Sequence, residues 1–264
     1  EINETCSMSR QIRVEEGSIK DYRRLAQFHY REAGRLPPPR RFFALKRLDE
    51  IIGVIVYSYS PVVCFGRKNA FQRRLTVQEL NSHFSIISRV VLHPKYRTIG
   101  LGAKLVKETL PLAGTPYIEA VAVMARYNPF FERAGMKKIV EQAPDPSCLE
   151  AVEKMRQLGF NPVLLASEWH NLQRLKEMSP EEVKGCKKIL AEVRSPRLRR
   201  VAVAEKPYSD AEQYRSALEK AGIEKIAKIL RVLSILIQTK VYLLWKNPSA
   251  LQQVDCGDSF LNLG

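Results

Sequence analysis

The sequence Arg97-Thr98-Ile99-Gly100-Leu101-Gly102-Ala103 follows a β-branched run, Phe84 to Leu92, and opens a stretch with helical spacing of apolar residues, Gly100 to Leu112. A strand, a basic loop, paired glycines and a helix in this order are typical of an anion site. The N–H groups of the first helical turn point at a bound phosphate, and glycine lets the anion approach without a Cβ in the way. The stretch therefore predicts a pyrophosphate-binding loop.

Two common phosphate-binding patterns do not fit this loop. A Walker loop requires Gly-Lys followed by Ser or Thr, which the loop lacks. A dinucleotide fingerprint requires a third glycine and an acidic residue at a strand end about 20 positions further on, and the loop offers only Gly-x-Gly. The pattern that remains is Arg-x-x-Gly-x-Gly after a strand that ends in His93-Pro94.

This pattern resembles the signature of the GNAT family of N-acetyltransferases. The predicted order over residues 11–140 is also similar to that family: strand, helix, Pro-rich loop, hairpin, long strand, signature helix and strand. Phe131-Glu132-Arg133-Ala134-Gly135-Met136 then resembles the family's Tyr-Glu-Lys-x-Gly-Phe segment. The resemblance implies an α/β fold, with a GNAT-like mixed central sheet flanked by helices and a mainly helical C-terminal extension.

The sequence predicts four segments. Residues 1–10 are an N-terminal tail or linker, residues 11–142 form the GNAT-like acyltransferase domain, residues 143–247 form the helical extension, and residues 248–264 are a flexible tail. Helical periodicity and capping signals place the elements of the extension at Cys148–Leu158, Glu168–Met178, Pro180–Val193, Ser209–Ala221 and Ile223–Gln238, with a final strand at Lys240–Trp245.

The resemblance also implies a cofactor, acetyl-CoA or another acyl-CoA, bound in a V-shaped opening between two parallel strands, Ser85–Leu92 and Tyr117–Val123. Its pantetheine would pair with the backbone of the first strand, where an N–H of Val91 or Leu92 would polarise the thioester carbonyl. The candidate cofactor-binding residues are Val90, Val91, Leu92, Arg97, Thr98, Ile99, Gly100, Leu101, Gly102, Ala103, Asn128 and Phe131.

The candidate catalytic residues are Glu119, Tyr127, His29 and Tyr30. The family often protonates the leaving thiolate with a tyrosine, but Phe131 occupies that position here, so the nearby Tyr127 and Asn128 are substitute candidates. A general base must deprotonate the amine, and Glu119 on the second strand is one candidate. The alternatives are that Glu119 pairs with a basic neighbour, that His29 and Tyr30 only pack, and that the domain binds acyl-CoA without turning it over.

The charge of the chain indicates anionic partners. Lys and Arg number 43 against 28 Asp and Glu, which gives a formal net charge of +15 and a pI near 9.7. Nucleic acid is one such partner, and its binding would depend strongly on salt; unrelated solvated patches are the alternative. The candidate contacts to nucleic acid or to the acceptor are Arg40, Arg41, Arg67, Lys68, Arg73, Arg74 and Arg89.

A finer resemblance involves four segments: Phe28-His29-Tyr30-Arg31, Val56-Tyr57-Ser58-Tyr59, Ile87 to Arg97, and Met124 to Phe131. Together they resemble the acetyltransferase-like region fused to ABC-type ATPases of archaea and bacteria, a group that is similar to phage Mom-type DNA-modification proteins. This implies an ATPase domain in the same polypeptide. It leaves two alternatives to an N-acetyltransferase: a catalytically degenerate nucleic-acid-binding module, or a nucleobase-modifying enzyme with another donor.

The remaining sequence features predict a cytoplasmic protein that neither spans a membrane nor binds a metal. The densest apolar stretch, Ile223 to Ile237, contains four charged residues and is too short to span a bilayer. The five cysteines are scattered, and no pair has the close spacing of a zinc site. The oligomeric state stays open.

Overall fold

A computed structural model of the chain describes residues 11–28, 36–71, 73–123, 128–203 and 210–251. The chain divides into two compact units. The sheet unit consists of Glu1–Glu141 and Lys240–Gly264, and the helical unit consists of Gln142–Thr239. The sheet unit is therefore built from two separate parts of the sequence.

The sheet unit contains one seven-stranded mixed sheet in the order β1-β2-β3-β4-β5-β7-β6. Strands β4 and β5 pair in parallel, whereas β1–β2, β2–β3, β3–β4 and β5–β7 pair antiparallel. The strands are β1 (Ile12–Glu16), β2 (Pro39–Arg47), β3 (Glu50–Tyr59), β4 (Phe84–Leu92), β5 (Tyr117–Ala122), β6 (Lys137–Gln142) and β7 (Lys240–Lys246). The predicted mixed central sheet is confirmed.

Helices of the sheet unit lie on both faces of this sheet, and other helices make up the helical unit. The helices of the described chain are α1 (Ile19–Leu25), α2 (Arg67–Ala70), α3 (Val77–His83), α4 (Leu101–Thr109), α5 (Phe130–Arg133), α6 (Pro146–Gln157), α7 (Glu168–Lys176), α8 (Pro180–Glu192), α9 (Pro196–Ala202), α10 (Ala211–Lys220), α11 (Ile223–Leu236) and α12 (Pro248–Leu251). None of those within the described residues is long and apolar enough to cross a membrane.

The two faces of the sheet have separate apolar cores. Ile55 and Tyr57 of β3 pack in a cluster with residues of α4 and α5. Val54 and Val56, which alternate with them along the strand, pack with α1 on the opposite face. Successive strand residues point to opposite faces, so α1 and α4 lie on different sides of the sheet.

The helical unit has an apolar core of its own, built from residues of α6 to α11. Helix α8 begins as predicted: the Ser179 side chain accepts from the N–H of Glu182, and the Glu182 side chain accepts from the Ser179 N–H. Such a capping box satisfies N–H groups that have no partner within the helix. The sequence analysis did not predict the short helix α9, although Pro196 in its first turn and its arginines favour a helix.

The helical unit is an insertion between two neighbouring strands. β6 ends at Gln142 and β7 begins at Lys240, and the two strands lie side by side in the sheet. A Cβ placed on Gly66 would meet Val140 of β6 and Tyr242 of β7. The sequence analysis instead grouped residues 143–247 as one extension and missed β6, whose charged residues give no clear alternation.

Candidate functional site

The parallel strands β4 and β5 separate partway along their length. They pair at Phe84↔Tyr117, Ser85↔Ile118 and Ile86↔Glu119. Both strands are fully described and continue beyond this point, to Leu92 and Ala122, without further pairing to each other. A gap therefore opens between the two central strands of the sheet, which leaves backbone polar groups of β4 for another partner.

The register of β3 and β4 shows which groups of β4 face this gap. The N–H of His93 donates to the carbonyl of Ile52 at 2.9 Å. Hydrogen-bonded pairs alternate along an antiparallel ladder, so Val91, opposite Val54, also directs its N–H to β3. The N–H groups of Val90 and Leu92 point to the gap. Val91 and Leu92 were the two residues whose N–H was predicted to polarise the thioester. Of these two N–H groups, only that of Leu92 points to the gap.

The first turn of α4 lies at the same end of β4. A Cβ on Gly102 would lie 3.7 Å from the Leu92 side chain, an ordinary contact. Gly100 is the N-cap, with φ +83° and no side-chain cap, and a Cβ there would meet no atom within 4 Å. The N–H groups of the first turn have no intrahelical partner. The loop is thus open, as a phosphate site requires.

Arg97 contributes to this loop in a way that the sequence did not indicate. Its side chain is exposed, as a phosphate ligand at the rim would be, but it also binds the main chain. Nε donates to the carbonyl of Leu92 at 3.2 Å, and Nη2 donates to the carbonyl of Phe28 at 2.6 Å. Arg97 therefore fixes the loop to the end of β4.

Glu119 is enclosed by hydrogen-bond donors of the protein. It is fully buried, and Arg67, which is 7% exposed, forms an ion pair with it. Nε of Arg67 donates to Oε2 at 3.1 Å, the Tyr242 hydroxyl donates to the same oxygen at 2.8 Å, and the Ser60 hydroxyl donates to Oε1. The alternative that Glu119 pairs with a basic neighbour describes its surroundings, and the general-base prediction conflicts with them.

The placement of Arg67 conflicts with its predicted role as a contact to nucleic acid or to the acceptor. Besides binding Glu119, its guanidinium donates to the carbonyls of Val62 (3.0 Å) and Pro61 (2.8 Å). Burial alone would lower the pKa of Arg67, but the hydrogen bond and charge of Glu119 raise it overall. The group remains a cation that fastens the segment after β3 to β5.

Burial and the Glu119 charge also act on the neighbours of this pair. They raise the pKa of the Cys64 thiol to about 12, burial being the larger cause. The same two causes, in the same order, raise the pKa of Tyr242. Tyr242 and Ser60 were missed by the sequence analysis; no local signal marks Tyr242, which lies 123 positions beyond Glu119.

The region of α5 has no hydroxyl at the position where the family often has tyrosine. Phe131 is buried and packs against Phe130, with ring centroids 4.1 Å apart. Asn128 is exposed, and its carbonyl accepts from the Phe130 N–H. The catalytic candidates Tyr127, His29 and Tyr30 lie outside the described residues.

Several of the predicted basic contacts bind the protein itself. Arg40 donates to the carbonyls of Phe84 and Asn81, Arg41 donates to the carbonyl of Leu112, and Arg73 pairs with Glu79. Arg40 and Arg41 thus connect the start of β2 to neighbouring segments of the chain, and Arg73 connects the segment before α3 to that helix. The remaining members of the set are the exposed Lys68 and Arg74 and the partly buried Arg89.

Similarity to known proteins was found in one family model and in solved structures of low sequence identity. A model of the acetyltransferase (GNAT) family matches residues 3–136. No curated protein matches the sequence significantly. Similar solved structures include a GNAT family acetyltransferase from Elizabethkingia anophelis with acetyl-CoA bound, at 10% identity over 51% of this chain and 81% of that one, with a TM-score of 0.31. A spermidine/spermine N-acetyltransferase from Vibrio cholerae has 10% identity, coverages of 53% and 85%, and a TM-score of 0.37. The ribosomal-protein-S18-alanine N-acetyltransferase from Escherichia coli has 12% identity, coverages of 51% and 85%, and a TM-score of 0.34.

Proposed function

The chain belongs to the GNAT family of acetyltransferases, and from this premise we propose that it transfers an acetyl or other acyl group from acyl-CoA to an amine. The observation that carries the proposal is the gap between β4 and β5, with the N–H of Leu92 and the open first turn of α4 at one end of it. Acyl-CoA is a long molecule with a diphosphate and amide groups. It fits these features because the gap and the helix turn both offer backbone N–H groups without a partner.

Each part of the gap has a separate task in this proposal. The first-turn N–H groups of α4, from Leu101 onward, bind the pyrophosphate. The gap-facing backbone of Val90 pairs with the pantetheine amides, as an added strand would. Acyl-CoA supplies a thioester when bound, and the N–H of Leu92 stabilises the negative charge that develops on its carbonyl oxygen.

The acceptor amine attacks the thioester directly in this proposal, so no nucleophile of the protein is needed. The new C–N bond forms as the C–S bond breaks, and the amine proton leaves to a base while the thiolate is protonated. Phe131 has no proton to give, and Glu119 already accepts four hydrogen bonds. We therefore assign the proton transfers to the predicted candidates Tyr127, His29 and Tyr30.

Calorimetric titration with acetyl-CoA tests the donor site. Gly100→Glu places a side chain and a negative charge where the pyrophosphate binds, so we expect no measurable affinity. Gly135→Glu is the matched control, because Gly135 also has a positive φ (+98°) and no atom within 4 Å of a Cβ; it should bind like the wild type. Equal affinity of the folded Gly100→Glu variant would refute the donor site.

A second candidate function is a nucleic-acid-binding module that serves an ABC-type ATPase and holds acyl-CoA without turnover. The phenylalanine at the usual tyrosine position favours it, as do the exposed Lys68 and Arg74 on the segment between β3 and α3. The double variant Lys68→Met/Arg74→Met should then flatten the salt dependence of nucleic-acid binding. Release of free CoA with any amine would exclude a purely binding role.

A further inference from the structure

Arg89 lies in the part of β4 that has no β5 partner. The last β4 residue that pairs with β5 is Ile86, three positions earlier. The register of β3 and β4 shifts between Ile87, opposite Tyr57, and Arg89, opposite Val56, so that Ser88 is an extra residue. Such a bulge re-aims the side chains that follow it.

The bulge determines the face on which Arg89 lies. Residues paired across a ladder share a face, and Val56 belongs to the apolar cluster packed against α1, as does Val91 two positions after Arg89. Without the extra residue, alternation along β4 would direct Arg89 to the α4 face with Ile87. The hydroxyl of Ser88 stabilises the bulge by bonding with Ser58 (2.7 Å) and with the carbonyl of Val56 (3.2 Å).

The charge of Arg89 has no counter-charge among the described residues. Its side chain is partly buried, and Nη1 donates to the carbonyl of Ser88 at 2.7 Å. The ion pairs formed within the described ranges do not include it. Arg67 in the same unit differs, because its guanidinium binds a carboxylate and two carbonyls. A partly buried guanidinium has up to five N–H donors, and leaving it unpaired costs free energy.

We propose that Arg89 binds an anionic group, a carboxylate or a phosphate, of the acceptor amine. This proposal rests on the proposed acyltransferase function and specifies its substrate class. The planar guanidinium matches both anions in a two-pronged geometry, and its position beside the gap brings the anion near the acceptor nitrogen. Arg89 is thus a specificity-determining residue that selects anionic amines over neutral or cationic ones.

Matched acceptors test this selection. With acetyl-CoA as donor, CoA release is measured for propylamine, β-alanine, 3-aminopropyl phosphate and 1,3-diaminopropane. The wild type should favour at least one anionic amine over propylamine in kcat/KM by about ten- to a hundredfold, as expected for a charged hydrogen bond. The β-alanine and phosphate arms distinguish the two anions.

Variants of Arg89 should change this preference and leave the donor site intact. Arg89→Met should reduce the ratio of anionic to neutral amine to about one, mainly through KM, and Arg89→Glu should favour 1,3-diaminopropane. Arg89→Lys should keep part of the preference, and Arg215→Met, at an exposed position in the helical unit, should keep all of it. An equal loss for all four amines, or a wild-type preference for propylamine, would overturn the proposal.

If no turnover is detected, the binding of anionic amines tests the Arg89 proposal instead. Calorimetry of β-alanine and 3-aminopropyl phosphate with the CoA-saturated protein should show at least tenfold weaker binding of the preferred anion to Arg89→Met. If neither anion binds to the wild type, the Arg89 proposal is wrong. The acetyl-CoA titration of the Gly100→Glu variant is independent of this result, so failure of the donor site is recognised separately.

Discussion

The sheet unit and the helical unit differ in what they bury. The helical unit has a core of aliphatic, aromatic and sulfur-containing side chains, to which the fully buried Asn171 is a polar exception. The sheet unit buries the Arg67–Glu119 ion pair and places Thr98, which is not glycine, at a positive φ of 70°. Buried charges and strained backbone conformations concentrate at functional sites. Their presence in the sheet unit therefore indicates that the chemistry resides there.

The sharpest test of this difference is to separate the two units. We replace residues 143–239 by a two-residue Asn-Gly turn between β6 and β7, because Val140 and Tyr242 already lie beside the same glycine and such a turn joins neighbouring strands. The variant should keep its acetyl-CoA affinity within about threefold, because the described residues of the sheet's apolar clusters all belong to the sheet unit. Calorimetric titration and circular dichroism measure this. An unfolded variant would show that the sheet unit depends on its insertion.

Breaking the buried ion pair should give the next largest effect. Arg67→Met leaves the Glu119 carboxylate buried without its cation, which costs about 3–5 kcal/mol. Urea unfolding should show this loss in the sheet unit alone, and Arg67→Met/Glu119→Gln should recover part of it. Lys68→Met, one residue away and exposed, should change the free energy of unfolding by less than about 0.5 kcal/mol. Equal losses for the two single variants would contradict the structure.

Creating a cavity in the helical unit should destabilise that unit and leave acetyl-CoA binding unchanged. Leu230 of α11 is fully buried, and Leu230→Ala should destabilise that unit by about 2–5 kcal/mol. Acetyl-CoA affinity measured by calorimetry should not change, because the proposed donor site lies in the other unit. Leu149→Ala, at a position 48% exposed, is the control and should have little effect. A loss of affinity in Leu230→Ala would show that the units are coupled.

The smallest expected effects concern two helix caps, one in each unit. Thr76 caps α3 in the sheet unit and Ser179 caps α8 in the helical unit, each with a glutamate three residues later. Changing either residue to Ala should cost about 1 kcal/mol, and only in the unit that contains it. Ser179→Thr should retain most of the stability in urea unfolding. Shifts in both units from either change would indicate one cooperative transition.

The sequence predicted what local signals determine. The β-branched run predicted β4, and the paired glycines with the apolar spacing after them predicted α4. Ser179 and Glu182 predicted where α8 begins. These signals lie within a few residues of one another, so they do not depend on the rest of the chain.

Other features of the site depend on contacts that are distant in sequence. Tyr242 reaches Glu119 only because β7 returns to β5 after the insertion. Nothing in the sequence distinguishes the buried Arg67 from the exposed Lys68 beside it. The orientation of the Val91 N–H likewise follows from pairing with β3, which composition and periodicity do not determine.

The insertion between β6 and β7 also has a consequence for biosynthesis. A ribosome adds about 5–20 residues per second, so roughly a hundred residues delay the last strand by about 5–20 seconds. During that time β5 is an unpaired edge, a known hazard for aggregation, and Glu119 lacks the hydroxyl of Tyr242. We therefore expect the nascent sheet to finish folding only after the inserted helices have left the exit tunnel.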